Sequence, residues 1–195
     1  MIKKKMMAVC RAAAACILLS TTIQTRSLQQ GMAQKVLRFH VLANSDSQAD
    51  QELKLKVRDQ VGTLMAEKLK NAETLEESTQ VVKQNLDAIE SCAETTIQKE
   101  GYAYPVTAKL ERCNFPEKTY GAYTFPGGDY EALRVVVGSG QGHNWWCVMY
   151  PNLCFADSMY EVDPSSGEKL REVLDPEEYA SVLQQGNYKV RFKML

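Results

Sequence analysis

Apolar residues recur at helical spacing from residue 48 to residue 97 and at alternate positions from residue 106 to residue 150. One chain must therefore place long helices first and a run of strands second around a shared core. The first helix spans about Gln48–Lys70, with Leu53, Val57, Val61, Leu64, Met65 and Leu69 on one stripe. Asp50 with Lys54 and Glu52 with Lys56 are acid-before-base pairs four apart, which predicts a solvated opposite face. A second helix starts at Thr74, where Glu77 three residues later makes a capping box. It carries Leu75, Val82, Leu86, Ile89, Ala93 and Ile97 and ends near Gly101. Two such helices in succession predict an antiparallel hairpin laid on one face of a sheet.

The strands follow. Val106, Ala108 and Leu110 alternate with polar residues, and Pro105 suggests an edge position. Thr119–Phe125 makes the next strand, Pro126-Gly127-Gly128-Asp129 a turn, and Tyr130–Val137 its hairpin partner. Gly138, Gly140 and Gly142 supply a flexible reversal into Asn144–Tyr150, which Pro151 stops. That last strand sends Trp145, Cys147 and Met149 to one face and Trp146, Val148 and Tyr150 to the other, so both faces are apolar and a central position is expected. Ahead of the helices, Lys35–Ala43 alternates with Leu37, Phe39 and Val41 on one face and Arg38, His40 and Leu42 on the other. Asn44-Ser45-Asp46-Ser47 then forms a turn and helix start. The fold class is α+β: an N-terminal strand, a helical hairpin, an antiparallel β-meander, and a less strongly patterned C-terminal helix (Pro176–Gln185) and strand (Asn187–Leu195).

The chain opens with three lysines, Lys3–Lys5, and an apolar run from Met6 to Leu19 broken only by Arg11. This is the plan of a secretory signal and is short for a membrane span. Without a clear small-residue cleavage site, it is read as a signal or an N-terminal anchor over 1–20, followed by a linker over 21–34, an α+β domain over 35–155 and a C-terminal extension over 156–195 packed on the domain. Export places Cys92, Cys113, Cys147 and Cys154 where disulfides persist, and a Cys147–Cys154 bridge is one of the possibilities. A net charge of -1 gives no reason to expect nucleic acid. No Cys/His spacing calls for a metal, the glycines precede a strand and lack a Gly-Lys-Ser/Thr phosphate cradle, and no cofactor is expected.

The scarcest side chains crowd into Gly138–Phe155: both tryptophans, one of two histidines and two of six cysteines. One chemistry there is a cysteine hydrolase acting on peptide or cell wall, with Cys147 as nucleophile, His143 or His40 as base and Asn44 or Asn144 orienting the imidazole. Against it, His143 and Cys147 on one strand stand roughly 13 Å apart at about 3.3 Å per residue. The plainer reading makes Cys147 a buried small residue or half of a disulfide and the tryptophans core. No catalytic residue is assigned.

Two segments, RFHVLANSDSQADQELKLKVRDQV (38–61) and the stretch 120–155 containing YTFPGGDYEALRVVVGSGQGHNWWCVMYPNLCF, closely resemble the stage II sporulation protein R family of endospore-forming Firmicutes. The resemblance implies an exported signalling protein, made in the forespore and acting in the space between forespore and mother cell. Its partner would be a membrane-embedded aspartic protease that processes the sigma-E precursor, and membrane contact would come only through an uncleaved N-terminal segment. It implies no catalytic residues. The matching positions become candidate partner contacts: Arg38, His40, Asn44, Ser45 and Asp46 in the first segment, and His143, Asn144, Trp145 and Trp146 in the second. The alternative for each is structural: a turn and cap for Asn44–Asp46, core for the tryptophans.

Overall fold

Strand β1 (Leu37–Leu42) has all six residues buried, and the other elements are laid around it. The computed structural model describes residues 26–153 and 164–183. A helix α1 over residues 26–33 precedes β1, within the stretch read as linker, and its Met32 and Ala33 are buried. Three helices follow: α2 (Gln48–Lys68), α3 (Leu75–Gln84) and α4 (Leu86–Lys99). Ser47 caps α2 by accepting from the Asp50 N–H, and Thr74 with Glu77 closes the expected capping box of α3. The second helix expected from the sequence is broken at Asn85. There the backbone N–H turns back to the Val82 carbonyl and the side-chain amide donates to Val81, a competition with the helix ladder typical of asparagine.

The strands are β2 (Val106–Phe115), β3 (Lys118–Tyr120), β4 (Tyr123–Phe125), β5 (Gly128–Val137) and β6 (Asn144–Tyr150). The α+β class stands, with helices followed by strands, but the pairing departs from a simple meander in two places. Gly121, at φ 54°, folds the Thr119–Phe125 run on itself, so β3 and β4 form a separate two-stranded hairpin and β5 pairs instead with β2. The main sheet runs β2-β5-β1-β6, with β1 inserted between β5 and β6, parallel to the first and antiparallel to the second. The tryptophan strand is therefore an edge, not the centre. The centre is β1, which alternates Leu37, Phe39 and Val41 with Arg38, His40 and Leu42.

Helices α2, α3 and α4 cover one face. Leu37, Phe39 and Val41 meet Leu53, Val57, Val61, Met65, Val82, Ile89, Ala93 and Ile97 in a single apolar cluster joined by Val106, Leu133 and Val135. Full burial of each such side chain contributes about 2 kcal/mol. On the other face a second cluster gathers Met32, Val36, Phe115, Phe125, Tyr130, Ala132 and Val148 with Leu170, Leu174 and Val182. The last three belong to or adjoin two C-terminal helices, α5 (Pro164–Val173) and α6 (Pro176–Val182). Helix α5 lies in a polar stretch with little periodicity. Its Gly167 packs close to Tyr123, whose hydroxyl would lie 2.6 Å from a Cβ at that position. The leader and the expected Asn187–Leu195 strand lie outside the described residues.

Candidate functional site

Inserting β1 between β5 and β6 makes the Gly138–His143 loop cross the end of β1, where the chain turns into α2. The two segments thus meet, although Ser139 and Asn44 are 95 residues apart in sequence. The Asn44 side-chain oxygen accepts from the Ser139 N–H (3.0 Å), and its backbone carbonyl accepts from the Ser139 hydroxyl (2.6 Å). The Gly142 N–H donates to the Ala43 carbonyl at 2.9 Å. One oxygen of the Asp46 carboxylate accepts from both the backbone N–H (2.6 Å) and the ring Nδ1 (2.5 Å) of His143. Glycine is required at two of these crossings. Gly138 has φ +60° and would place a Cβ 2.3 Å from the Asn44 Oδ1, while a Cβ on Gly142 would lie 2.2 Å from the Ser45 carbonyl oxygen, a backbone atom with little room to yield.

Beneath this rim the first turns of α2 supply a polar floor. The buried Asp50 carboxylate accepts from the Ser45 hydroxyl (2.5 Å) and the Asn44 amide (2.9 Å), and these two bonds hold its pKa below the usual carboxylate range against the opposing effect of burial. Lys54, also buried, donates to the His143 carbonyl (3.0 Å) and the Gln51 side chain (2.5 Å), and Gln51 in turn donates to the Ser45 carbonyl (3.0 Å). The sequence suggested that Asp50 and Lys54 form a solvated pair. Instead they serve the two loops that wrap the start of α2, and each finds its partners there. Lys56 likewise pairs with Glu100 at 2.6 Å, while Glu52 accepts from Gln48. Asp46 and His143 remain outside, with side chains 54% and 81% exposed, so the rim presents an imidazole pinned at one nitrogen. The bond from His143 lowers the Asp46 pKa.

The tryptophans stand half-buried on opposite faces of edge strand β6. Trp145 meets Phe39 edge-on, centroids 5.6 Å apart, and the Arg58 guanidinium lies over its ring at 5.0 Å. Arg58 is ion-paired with Asp59. Trp146 stacks on His40 at 4.8 Å, with rings 11° from parallel, and meets Phe115 edge-on at 4.6 Å. Arg38 and His40 are inside the molecule. Burial and the neighbouring Arg134 and Arg38 push the His40 pKa down to about 4, and neither ring nitrogen has a hydrogen-bond partner. The Arg38 guanidinium sits among Phe115, Tyr130, Phe125 and Tyr120, donating to the Cys147 carbonyl (3.0 Å) and the Tyr120 hydroxyl (3.1 Å). No ion pair to Arg38 is formed among the described residues.

Of the residues singled out in the sequence, Asn44, Ser45, Asp46 and His143 come together at the rim and Asn144 adjoins it, paired with Leu42. Trp145 and Trp146 frame the adjacent edge, and Arg38 and His40 lie behind it. The sequence reading missed Asp50, Gln51, Lys54, Arg58 and Ser139. The spacing of Asp50, Lys54 and Arg58, one helical turn apart, was the available signal, and their covering loops were not legible. For the Cys–His arrangement, His40 faces away from Cys147, which is opposite Phe39 in the register and shares its face. Cys147 itself is disulfide-bonded and so offers no thiolate. Cys92 and Cys113 are free thiols whose pKa burial raises, the opposite of activation.

The family model for stage II sporulation protein R matches residues 33–160, from the last residue of α1 through the rim and both tryptophans. The chain belongs to that family. It is 38% identical over 143 residues to the stage II sporulation protein R of Bacillus subtilis (strain 168), an alignment that covers 73% of this chain and 61% of that relative. The chain thus spans less than two thirds of the relative's length. No solved structure matches. The match places the chain among sporulation proteins and includes both halves of the rim. No helix among the described residues is long and apolar enough to cross a membrane.

Proposed function

We propose that this protein is an exported sporulation signal that activates a membrane-embedded aspartic protease, which then processes the sigma-E precursor across the space between forespore and mother cell. Family membership supplies the sporulation role. The observation that carries the finer reading is the rim: two segments far apart in sequence are tied by the Asn44, Asp46, Ser139 and His143 bonds into one rigid, outward-facing polar surface. A surface fixed by its own hydrogen bonds loses little conformational entropy on binding, as a protein ligand requires. A disulfide-bonded Cys147 favours the ligand reading over a Cys147 hydrolase.

The test is co-expression of the full chain with the protease and the sigma precursor in a non-sporulating host. Processing is expected to need the exported chain and to survive Cys147→Ala in a variant shown by circular dichroism to be folded. Asp46→Ala together with His143→Ala is expected to lower processing at least tenfold with the fold retained. Full processing by that double variant would remove the rim from the interface, and loss of processing in a folded Cys147→Ala variant would restore thiol chemistry.

A further inference from the structure

Among the described residues, the second face of the sheet is only partly covered. Its cluster with α1, α5, α6 and the β3–β4 hairpin takes in Ala132 and Val148, the register neighbours of Arg38. The next row toward the rim runs across all four strands as Lys109, Arg134, His40 and Trp146, and the row beyond it as Thr107, Val136, Leu42 and Asn144. Lys109 and Thr107 are exposed, and Arg134, Val136 and Trp146 are half-buried. Four strands therefore present a shallow, half-open surface with Trp146 at one side and two cations at the other.

Its net charge is positive. Lys109 and Arg134 face solvent, and Arg38 adds a permanent charge beneath them, whereas Glu111 is the one carboxylate on these rows and is paired with Arg134 at 3.1 Å. The Arg38 guanidinium is fully buried with no ion pair among the described residues, so its field is weakly screened by water. Trp146 is held by His40 behind it and Phe115 beside it, so its ring is fixed before anything binds. A half-desolvated, rigid tryptophan with an arginine in the same row, two strands away across His40, supplies two of the residue types that dominate interface hot spots.

We propose that this half-open face is a docking surface for an acidic segment of the protein partner, with Trp146 as apolar anchor, Val136 as its floor, and Arg134 and Lys109 receiving carboxylates. An anionic bilayer fits less well. Two solvent-facing cations contribute about 1 kcal/mol each at a lipid surface, too little to hold a 195-residue protein there. The inference adds a second contact region to the rim and rests on the activator reading for the partner's identity.

The experiment uses the full exported chain with the protease and precursor. Lys109→Glu combined with Arg134→Glu is expected to lower processing at least tenfold, with secretion and circular dichroism as in wild type. Arg134→Gln with Lys109→Gln, which removes the charges without reversing them, is expected to lower it less. A photoreactive residue at the exposed Thr107 is expected to crosslink to the protease, and one at the exposed Gln60 on α2 is not. Wild-type processing by the folded charge-reversed chain, or crosslinks from Gln60 alone, overturns the surface. Binding of the wild-type chain to phosphatidylglycerol vesicles that the charge reversal abolishes overturns the choice of a protein segment in favour of lipid. A wild-type chain that promotes no processing overturns the activator reading and the partner with it, and that control separates the two failures.

Discussion

Arg38 and Phe39 are neighbours in one strand, equally buried, and belong to two differently built halves of the molecule. Phe39 points into the helix-covered face, where β1, α2, α3 and α4 meet through apolar side chains. Arg38 points into a face where aromatic rings surround a guanidinium and a histidine stands with both nitrogens unpartnered. The first face is what a chain builds to stay folded. The second carries desolvated polar groups that apolar residues of similar volume would replace at little or no cost, and it lies behind the half-open surface. The difference separates the part of this domain that supports the fold from the part shaped by something else.

The contrast is sharpest in single substitutions. Phe39→Ala is expected to destabilise the domain by about 3–5 kcal/mol in chemical denaturation, through lost transfer energy and an unfilled cavity. A loss below about 1 kcal/mol would mean that the helix face is loosely packed and the comparison fails.

Acid should act chiefly on the other face. His40 has its folded pKa near 4, below the ordinary value of about 6.5, so the folded form holds the ring neutral while the unfolded chain takes up a proton. The stability present above pH 6.5 is therefore lost as the pH falls from 6.5 toward 4, by about 3 kcal/mol at the lower end. Denaturation midpoints measured across that interval should show the slope in wild type and lack most of it in His40→Gln. An equal slope in both would move the titration elsewhere.

Gly142→Ala drives a methyl into the Ser45 carbonyl and is expected to cost about 1–3 kcal/mol. Because the clash is at the rim, processing should fall further than stability does. Proportional losses would make the rim an ordinary loop. The smallest effect is expected at the most deeply buried charge: Arg38→Met should leave stability within about 1 kcal/mol of wild type or raise it. A loss of several kcal/mol would show that the guanidinium is structurally required and that the two faces are less different than they look.

Much of this was legible in the residues. Ser47, Thr74 and Glu77 mark two helix starts, the 53–97 stripes define the helix-side core, and Asn44–Asp46 and His143 stand out in the sequence although no local pattern joins them. What failed has a common cause. Alternation shows which residues share a face but not what lies on it, so nothing in β1 with its Arg38 and His40 marks it as central, whereas β6, apolar on both sides, reads as central. Helical periodicity likewise sorted Asp50 and Lys54 to the polar side, because it knows nothing of loops that fold back over a helix start. Insertion of β1 between β5 and β6 depends on pairing across more than ninety residues, and no local pattern records it.

That long separation also bears on timing. The hydrogen bonds that join Asn44 to Ser139 and Asp46 to His143 span 95 and 97 positions. A polypeptide that emerges N-terminus first has its Asn44–Asp46 half ready early and must wait for nearly a hundred further residues before the other half arrives. Truncated or stalled products lack the completed rim, which exists only in a chain finished at least through His143.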